Sequence, residues 1–144
     1  MLGKPVGELR VGEAAEIAKT ISEADIYLFA GVTLDTNPAH LNEEYARTTI
    51  FKTRIAHGML TAGLVSAVIG TRLPGPGTIY LEQDLRFLAP VRIGDTVTAR
   101  VEVAELDPAK NRVVLLTTAC NQEGRQVLEG RALVMPPRAS RKAN

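Results

Sequence analysis

The sequence predicts an α+β domain in which a curved antiparallel β-sheet wraps one buried central helix. Three observations predict it. The run from Gly58 to Thr71 is apolar on nearly every side, alternating segments follow it through the C-terminal half, and the joints between them are short and rich in Gly, Asp, Asn and Pro. A helix apolar all round is buried all round. Alternation with a period of two marks strands with one wet face, and short joints make neighbouring strands antiparallel. A strongly twisted sheet of this kind covers a single helix on most sides. The edge it leaves open needs a partner, so a homodimer is expected.

Taken in order, residues 1–12 contain Gly3, Pro5, Gly7 and Gly12 and read as an irregular lead-in to one domain spanning 1–144, with 137–144 as an irregular end. Glu13 to Ile21 reads as a first strand, although its alternation is poor. Ser22 is suited to cap a helix over 23–33, with Glu23 and Asp25 in the first turn where the helix dipole favours negative charge. Ile26, Phe29 and Ala30 supply its apolar spacing. Pro38 stops any continuation and biases Asn37 toward extended backbone. Asn42 is placed to cap a short helix over 43–48, and Thr48 to Arg54 reads as a polar, β-branched loop. Gly70, or the block Pro74-Gly75-Pro76-Gly77, ends the central helix. Strands are then expected over 78–90, 96–105, 112–121 and 126–135. Arg92 to Asp95 is the turn between the first two, and Pro136-Pro137 closes the fold.

Bulk properties narrow the function. A chain of 144 residues is one domain by size, large enough for a real core. A net charge of +1 gives no global field toward nucleic acid or an anionic membrane. The basic cluster Arg138 to Lys142 reads as a solvated, frayed end. Aromatic residues at 4% with no Trp argue against base stacking. No segment reaches the roughly 18 apolar residues that span a bilayer, and MLGKPVGELR lacks the apolar stretch of a secretory signal. Cys120 is the single cysteine, so no intramolecular disulfide and no CxxC site exists. It reads as a small core residue of a protein in a reducing, cytoplasmic compartment.

Both histidines fall in the stretch from Leu34 to Arg72. Asp35 and His40 lie five apart in Asp-Thr-Asn-Pro-Ala-His, with the proline break between them letting both side chains turn into a common space. A carboxylate beside an imidazole is a general acid–base pair. On spacing alone a second explanation stands beside it, because Asp and Asn before Pro are good turn formers in their own right. Two such ligands are too few for zinc, so no metal is expected. Gly58 heads the apolar run, where the first N–H groups lack intrahelical partners and a glycine admits a ligand close to the backbone. That combination makes an oxyanion hole, or simply a helix start where a side chain would clash. His57 before it suits a structural or surface role. Ser66, the hydroxyl in the middle of the run, either bonds the carbonyl one turn back or faces the site.

Taken together, Asp-Thr-Asn-Pro-Ala-His, the later Ala-His-Gly-Met, Ser66 and the strand pattern Ile-Tyr-Leu-Glu-Gln-Asp-Leu-Arg-Phe-Leu-Ala-Pro-Val-Arg-Ile-Gly-Asp resemble the MaoC-type, (R)-specific enoyl-CoA hydratase family over about residues 20–135. The resemblance implies a single hot dog fold that dimerises, an acyl-CoA thioester substrate, and no cofactor beyond the coenzyme A of the substrate itself. It implies hydration of a trans-2-enoyl-CoA to an (R)-3-hydroxyacyl-CoA, often as a supply for polyhydroxyalkanoate synthesis. It carries Asp35 and His40 over as the catalytic pair, the Gly58 N–H as oxyanion donor and Ser66 as a residue of the site. Asp35 is then the base and His40 the group that positions the water, with the reverse assignment open. Two other outcomes remain: a hot dog thioesterase using the same oxyanion hole, and a non-catalytic acyl-CoA-binding module in which Asp35 is only a turn residue.

Overall fold

In the computed structural model, which describes residues 1–140, the chain enters the sheet at β1 (Ala14–Thr20) and turns at once into α1 (Glu23–Thr33). Ser22 caps α1 as its sequence position predicts. Its hydroxyl accepts from the Asp25 N–H at 3.1 Å while its own N–H donates to the Asp25 carboxylate at 2.9 Å, a reciprocal capping box. Leu34 ends the helix in the left-handed conformation, φ 64°, its N–H bonded to the Ala30 carbonyl. Pro38 does more than stop α1. It opens a second short helix, α2 (Pro38–Leu41), which the sequence reading missed. Proline at the first helical position has no N–H to leave unpaired, and the Asn37 side chain caps the turn by accepting from the Ala39 N–H at 3.0 Å. Asn42 caps α3 (Glu43–Ala46), accepting from the Tyr45 N–H at 3.1 Å. This helix stops short of the expected 43–48 because the Thr48 and Thr49 hydroxyls bond back to the carbonyls of Tyr45 and Ala46, each at 2.7 Å.

The central helix is α4 (Gly58–Thr71), with the bounds the apolar run predicts. The strands after it are β2 (Ile79–Gln83), β3 (Arg86–Phe87), β4 (Thr96–Asp107), β5 (Arg112–Cys120) and β6 (Gln126–Met135). They join β1 in a six-stranded antiparallel sheet of order β1-β4-β5-β6-β2, with β3 also on β6. Two expectations are corrected here. The single strand over 78–90 is two pieces. At the break the Asp84 carbonyl presses onto Gly130, where a Cβ would sit 2.0 Å from that oxygen, so only glycine admits the approach. Arg92 to Asp95 is not a hairpin between sheet neighbours. The edges of β4 are taken by β1 and β5, which sends β2 and β3 to the far side of the sheet. The segment 88–95 therefore crosses the molecule, and it pairs on the way with Ile55, Ala56 and Ile21.

Alternation decides which side chains reach the core. Val97, Ala99, Val101 and Val103 of β4 are buried, as are Val113, Leu115 and Ala119 of β5. They pack against Leu60, Val65, Val68 and Ile69 of α4. Truncating a residue such as Ile69 to Ala in such a core costs about 2–5 kcal/mol. α4 is not covered all round, contrary to its apolar pattern. Met59, Gly63, Ser66 and Gly70, at helical spacing, are exposed. The sheet curls over one side of the helix only, and the small residues on the other side leave a shallow open face. β2 is likewise open, with Ile79, Tyr80 and Leu81 exposed. Cys120, expected in the core, is half-buried as the last residue of β5, where alternation puts it on the face opposite the buried Ala119. Of the predicted basic end, 141 and 142 lie outside the described residues. Among the described residues no helix is long and apolar enough to cross a membrane.

Candidate active site

A cavity of about 430 Å³ opens at the N-terminal end of α4. Several parts of the chain build it. Asp35 and His40 come from the joint after α1 and from α2. Phe51, Ile55 and Ala56 come from the segment leading into α4. His57, Gly58, Met59 and Thr61 come from the head of α4 itself. Phe87 comes from β3, Leu88 to Val91 from the crossing segment, and Val127 from β6 closes the far side. The walls are mostly hydrocarbon, with the polar groups gathered at the Asp35 end, as in a pocket that holds an apolar chain and orients one reacting group.

His40 is 9% exposed. Its Nδ1 lies 2.7 Å from the Ile55 carbonyl oxygen. A carbonyl only accepts, so Nδ1 carries the hydrogen, and in the neutral ring Nε2 is left with a lone pair. Burial is the main cause that holds the His40 pKa below the ordinary imidazole value. The Ile55 carbonyl opposes that shift, the neighbouring His57 adds to it, and Asp35 opposes it. His40 is thus kept in the form that accepts a proton. Asp35 is exposed, and its Oδ1 accepts from the Asn37 N–H at 3.2 Å, so the turn chemistry and the site position occur in one residue.

Asp35, His40 and His57 each bring one donor atom to within 4.8 Å of the others. One water with both hydrogens engaged bridges acceptors about 4.5 Å apart, since each bond spans about 2.8 Å. Among the described residues the same three are the group that could hold a cation, and His57 supplies a third ligand that the sequence reading did not count. The His40 and His57 rings stack, with centroids 3.9 Å apart and planes inclined by 32°.

His57 is 2% exposed, so of the structural and surface roles expected for it the surface one is ruled out. Its Nε2 donates to the Asp35 carbonyl oxygen at 2.9 Å. As the N-cap of α4 it makes no side-chain bond to the helix end, so no side chain closes the N-terminus that Gly58 begins. A Cβ on Gly58 would stand 2.6 Å from the Phe87 ring. The sequence therefore located Asp35, His40 and Gly58 around one cavity. Ser66 is exposed on α4 and does not line this cavity of the single chain. Sequence reasoning missed Thr61, which is 3% exposed and lies one turn beyond Gly58 on the same face, a spacing that could have found it. It also missed Phe87, because the pairing of β3 with β6 that holds that residue here is a long-range contact the local pattern does not show.

Residues 10–123 match the family described as MaoC like domain. This chain belongs to the MaoC-like family. An (R)-specific enoyl-CoA hydratase of Rhodospirillum rubrum is 64% identical over 130 residues, covering 90% of each chain. A 3-hydroxybutyryl-CoA dehydratase of Methylorubrum extorquens is 53% identical over 131 residues, 91% of this chain and 83% of that one. Among solved structures, the unliganded R-hydratase PhaJ1 of Pseudomonas aeruginosa superposes with a TM-score of 0.90 at 50% identity, covering 99% of this chain and 93% of its own. The (R)-hydratase of A. caviae involved in PHA biosynthesis gives 0.87 at 43% identity, covering 90% and 98%. The MaoC-like fold here is the hot dog, a helix embraced by an antiparallel sheet.

Proposed function

We propose that this MaoC-like protein catalyses the reversible, (R)-specific hydration of trans-2-enoyl-CoA to (R)-3-hydroxyacyl-CoA. The observation that carries the reading is the meeting of Asp35 and His40 with the Gly58 end of α4 at one apolar cavity, in a chain 64% identical to an (R)-specific enoyl-CoA hydratase. A water sits between the Asp35 carboxylate and His40 Nε2. Asp35 takes one proton from it while the hydroxide adds to C3 of the conjugated thioester. The electron pair moves through C2 onto the thioester oxygen, and the Gly58 N–H at the helix N-terminus meets that developing charge. The resulting carboxylic acid of Asp35 then returns its proton to C2, which restores the carboxylate. His40 holds the second hydrogen of the water and so fixes the direction of attack.

The thioester supplies its own activation, so the reaction needs no cofactor. The acyl chain occupies the hydrocarbon walls beyond Gly58. The open face of α4 with Ser66 on it, together with the exposed β2, supports a homodimer in which a second copy covers both and Ser66 becomes part of the completed site. Supply of (R)-3-hydroxyacyl-CoA for polyhydroxyalkanoate synthesis is supported by the likeness to the A. caviae (R)-hydratase. The lone Cys120 suits a cytoplasmic setting.

The test follows the ultraviolet absorbance of crotonyl-CoA with free thiol monitored in parallel. Loss of absorbance without thiol, and an (R)-configured product, is the expected result. Thiol release would make the protein a thioesterase, and binding without turnover of either crotonyl-CoA or a longer enoyl-CoA would make it a binding module.

A further inference from the structure

The proposed mechanism uses Asp35, His40 and Gly58 and leaves His57 without a task, although His57 is the residue that touches all three. It precedes Gly58 in the chain. Its Nε2 donates to the Asp35 carbonyl oxygen at 2.9 Å. Its ring stacks on His40 with centroids 3.9 Å apart, and on Phe29 of α1 with centroids 4.7 Å apart. It is 2% exposed, and its Nδ1 has no hydrogen-bond partner among the described residues. An unpaired buried nitrogen costs stability. A phenylalanine would fill the same space without that cost, so packing alone does not account for an imidazole here.

What the imidazole adds is the bond to Asp35. That residue sits on the short joint between α1 and α2, exposed, directly after the left-handed Leu34. Its other described bonds are local: its N–H bonds the Thr33 hydroxyl and its carboxylate accepts from the Asn37 N–H. The His57 bond is the long-range one, joining positions 22 residues apart in the chain. We infer that His57 is a positioning residue that ties the Asp35 peptide to the head of α4, keeping the carboxylate, the His40 ring and the Gly58 N–H in one register. The inference rests on the hydratase reading for its kinetic consequence. A misplacement of about 1 Å in such a constellation can cost on the order of a hundredfold in rate.

The experiment compares His57→Phe, which keeps the ring and loses the donor, with His57→Gln, whose amide Nε2 reaches the same place. Crotonyl-CoA hydration, thermal stability and backbone amide exchange at Thr36 and Asn37 are measured for each. In His57→Phe the melting temperature and KM are expected to hold, kcat to fall about 10- to 100-fold, and exchange at Thr36 and Asn37 to quicken. In His57→Gln kcat and exchange are expected to return to near the wild-type values. A His57→Phe protein with wild-type kcat overturns the inference. So does a folded His57→Gln as impaired as the Phe variant, since the donor would then not be what matters. Should His57→Phe misfold, His57→Gln decides alone, with retained kcat upholding the role and lost kcat overturning it. A wild-type protein inactive on every enoyl-CoA defeats the hydratase reading instead, and the exchange comparison then decides whether His57 holds the Asp35 joint.

Discussion

His40 donates from Nδ1 to the carbonyl oxygen of Ile55 at 2.7 Å, and this bond fixes which nitrogen of the ring is free. Ile55 belongs to the segment that leads into α4, and it also bridges to Arg92 of the crossing segment. The imidazole is therefore oriented by the same strand-like pairing that closes the cavity wall. A ring held in this way, with its second nitrogen open, acts as an acceptor toward a water and needs no rotation to do so.

The pH dependence of hydration follows from that environment. Burial first, with His57 adding to it, holds the His40 pKa below its ordinary value of 6.5. The acid limb that His40 imposes on kcat/KM should therefore be centred below the ordinary imidazole value, with the plateau held at pH 7 and above. An acid limb centred above pH 6.5 would contradict the assignment. Stability carries the same sign. The unfolded ring binds a proton as pH falls through about 6.5 while the folded ring resists, so folding weakens from there down to the folded pKa. His40→Ala should remove this dependence, which urea titrations at pH 7.5 and 5.5 measure, and should lower kcat by about 10²- to 10⁴-fold. A variant that changed KM alone would make His40 a binding residue.

Asp35→Asn separates charge from shape. The asparagine oxygen can still accept from the Asn37 N–H, the bond that holds the turn at 3.2 Å in the wild type. Asp35 is exposed, so stability should stay within about 0.5 kcal/mol. The basicity is gone, and kcat should fall by about 10²- to 10⁴-fold with the circular dichroism spectrum unchanged. Near-normal hydration would remove Asp35 from the mechanism and return it to the role of a turn former.

The capping box at Ser22 offers a stability test remote from the chemistry. Ser22→Ala loses the side-chain bond to the Asp25 N–H and should cost about 1 kcal/mol by denaturant titration. The Asp25 pKa is lowered chiefly by the Ser22 backbone N–H, with Lys19 and the Ser22 hydroxyl helping against a partial desolvation. A lowered carboxyl contributes stability above its unfolded pKa of about 3.9 and loses it as pH falls through the folded value. Asp25→Asn should therefore cost most at pH 6 and least near pH 2. An equal cost at both would mean that the carboxylate charge is not what Ser22 holds.

The elements that were legible in the sequence are those whose cause is local. Ser22 and Asn42 cap the helices they precede, and the alternation of Val97, Ala99, Val101 and Val103 names the buried face of β4 in advance. That Asp35, His40 and Gly58 line one cavity was legible in part, because the proline break after Asp35 turns the chain back on itself and Gly58 heads the apolar run, while their roles in the chemistry came from the family resemblance. What was not legible depends on which strands take which edges. Read locally, Arg92 to Asp95 is a good turn, yet β4 has no free edge for β3, and β3 pairs instead with β6, where Phe87 lies against Gly58. The open face of α4 escaped for a similar reason. Apolar character shows that a surface will be covered and is silent on whether the covering chain is the same one.

The meeting of Gly58 and Phe87 can be taken apart by a double-mutant cycle. In Gly58→Ala the new methyl would stand 2.6 Å from the Phe87 ring. That ring is 54% exposed and can swing aside, so the stability cost should be modest. Phe87→Leu shortens the side chain and should recover most of it in the double variant, giving a favourable coupling in denaturant titrations. Activity should behave differently. If the Gly58 N–H meets the thioester oxygen, the methyl obstructs that approach whether or not the ring is present, and kcat stays at least about tenfold down in Gly58→Ala and in the double variant alike. Recovery of kcat along with stability would mean that the glycine serves only to accommodate Phe87. A kcat that remains low while the fold is restored puts the head of α4 against the reacting carbonyl.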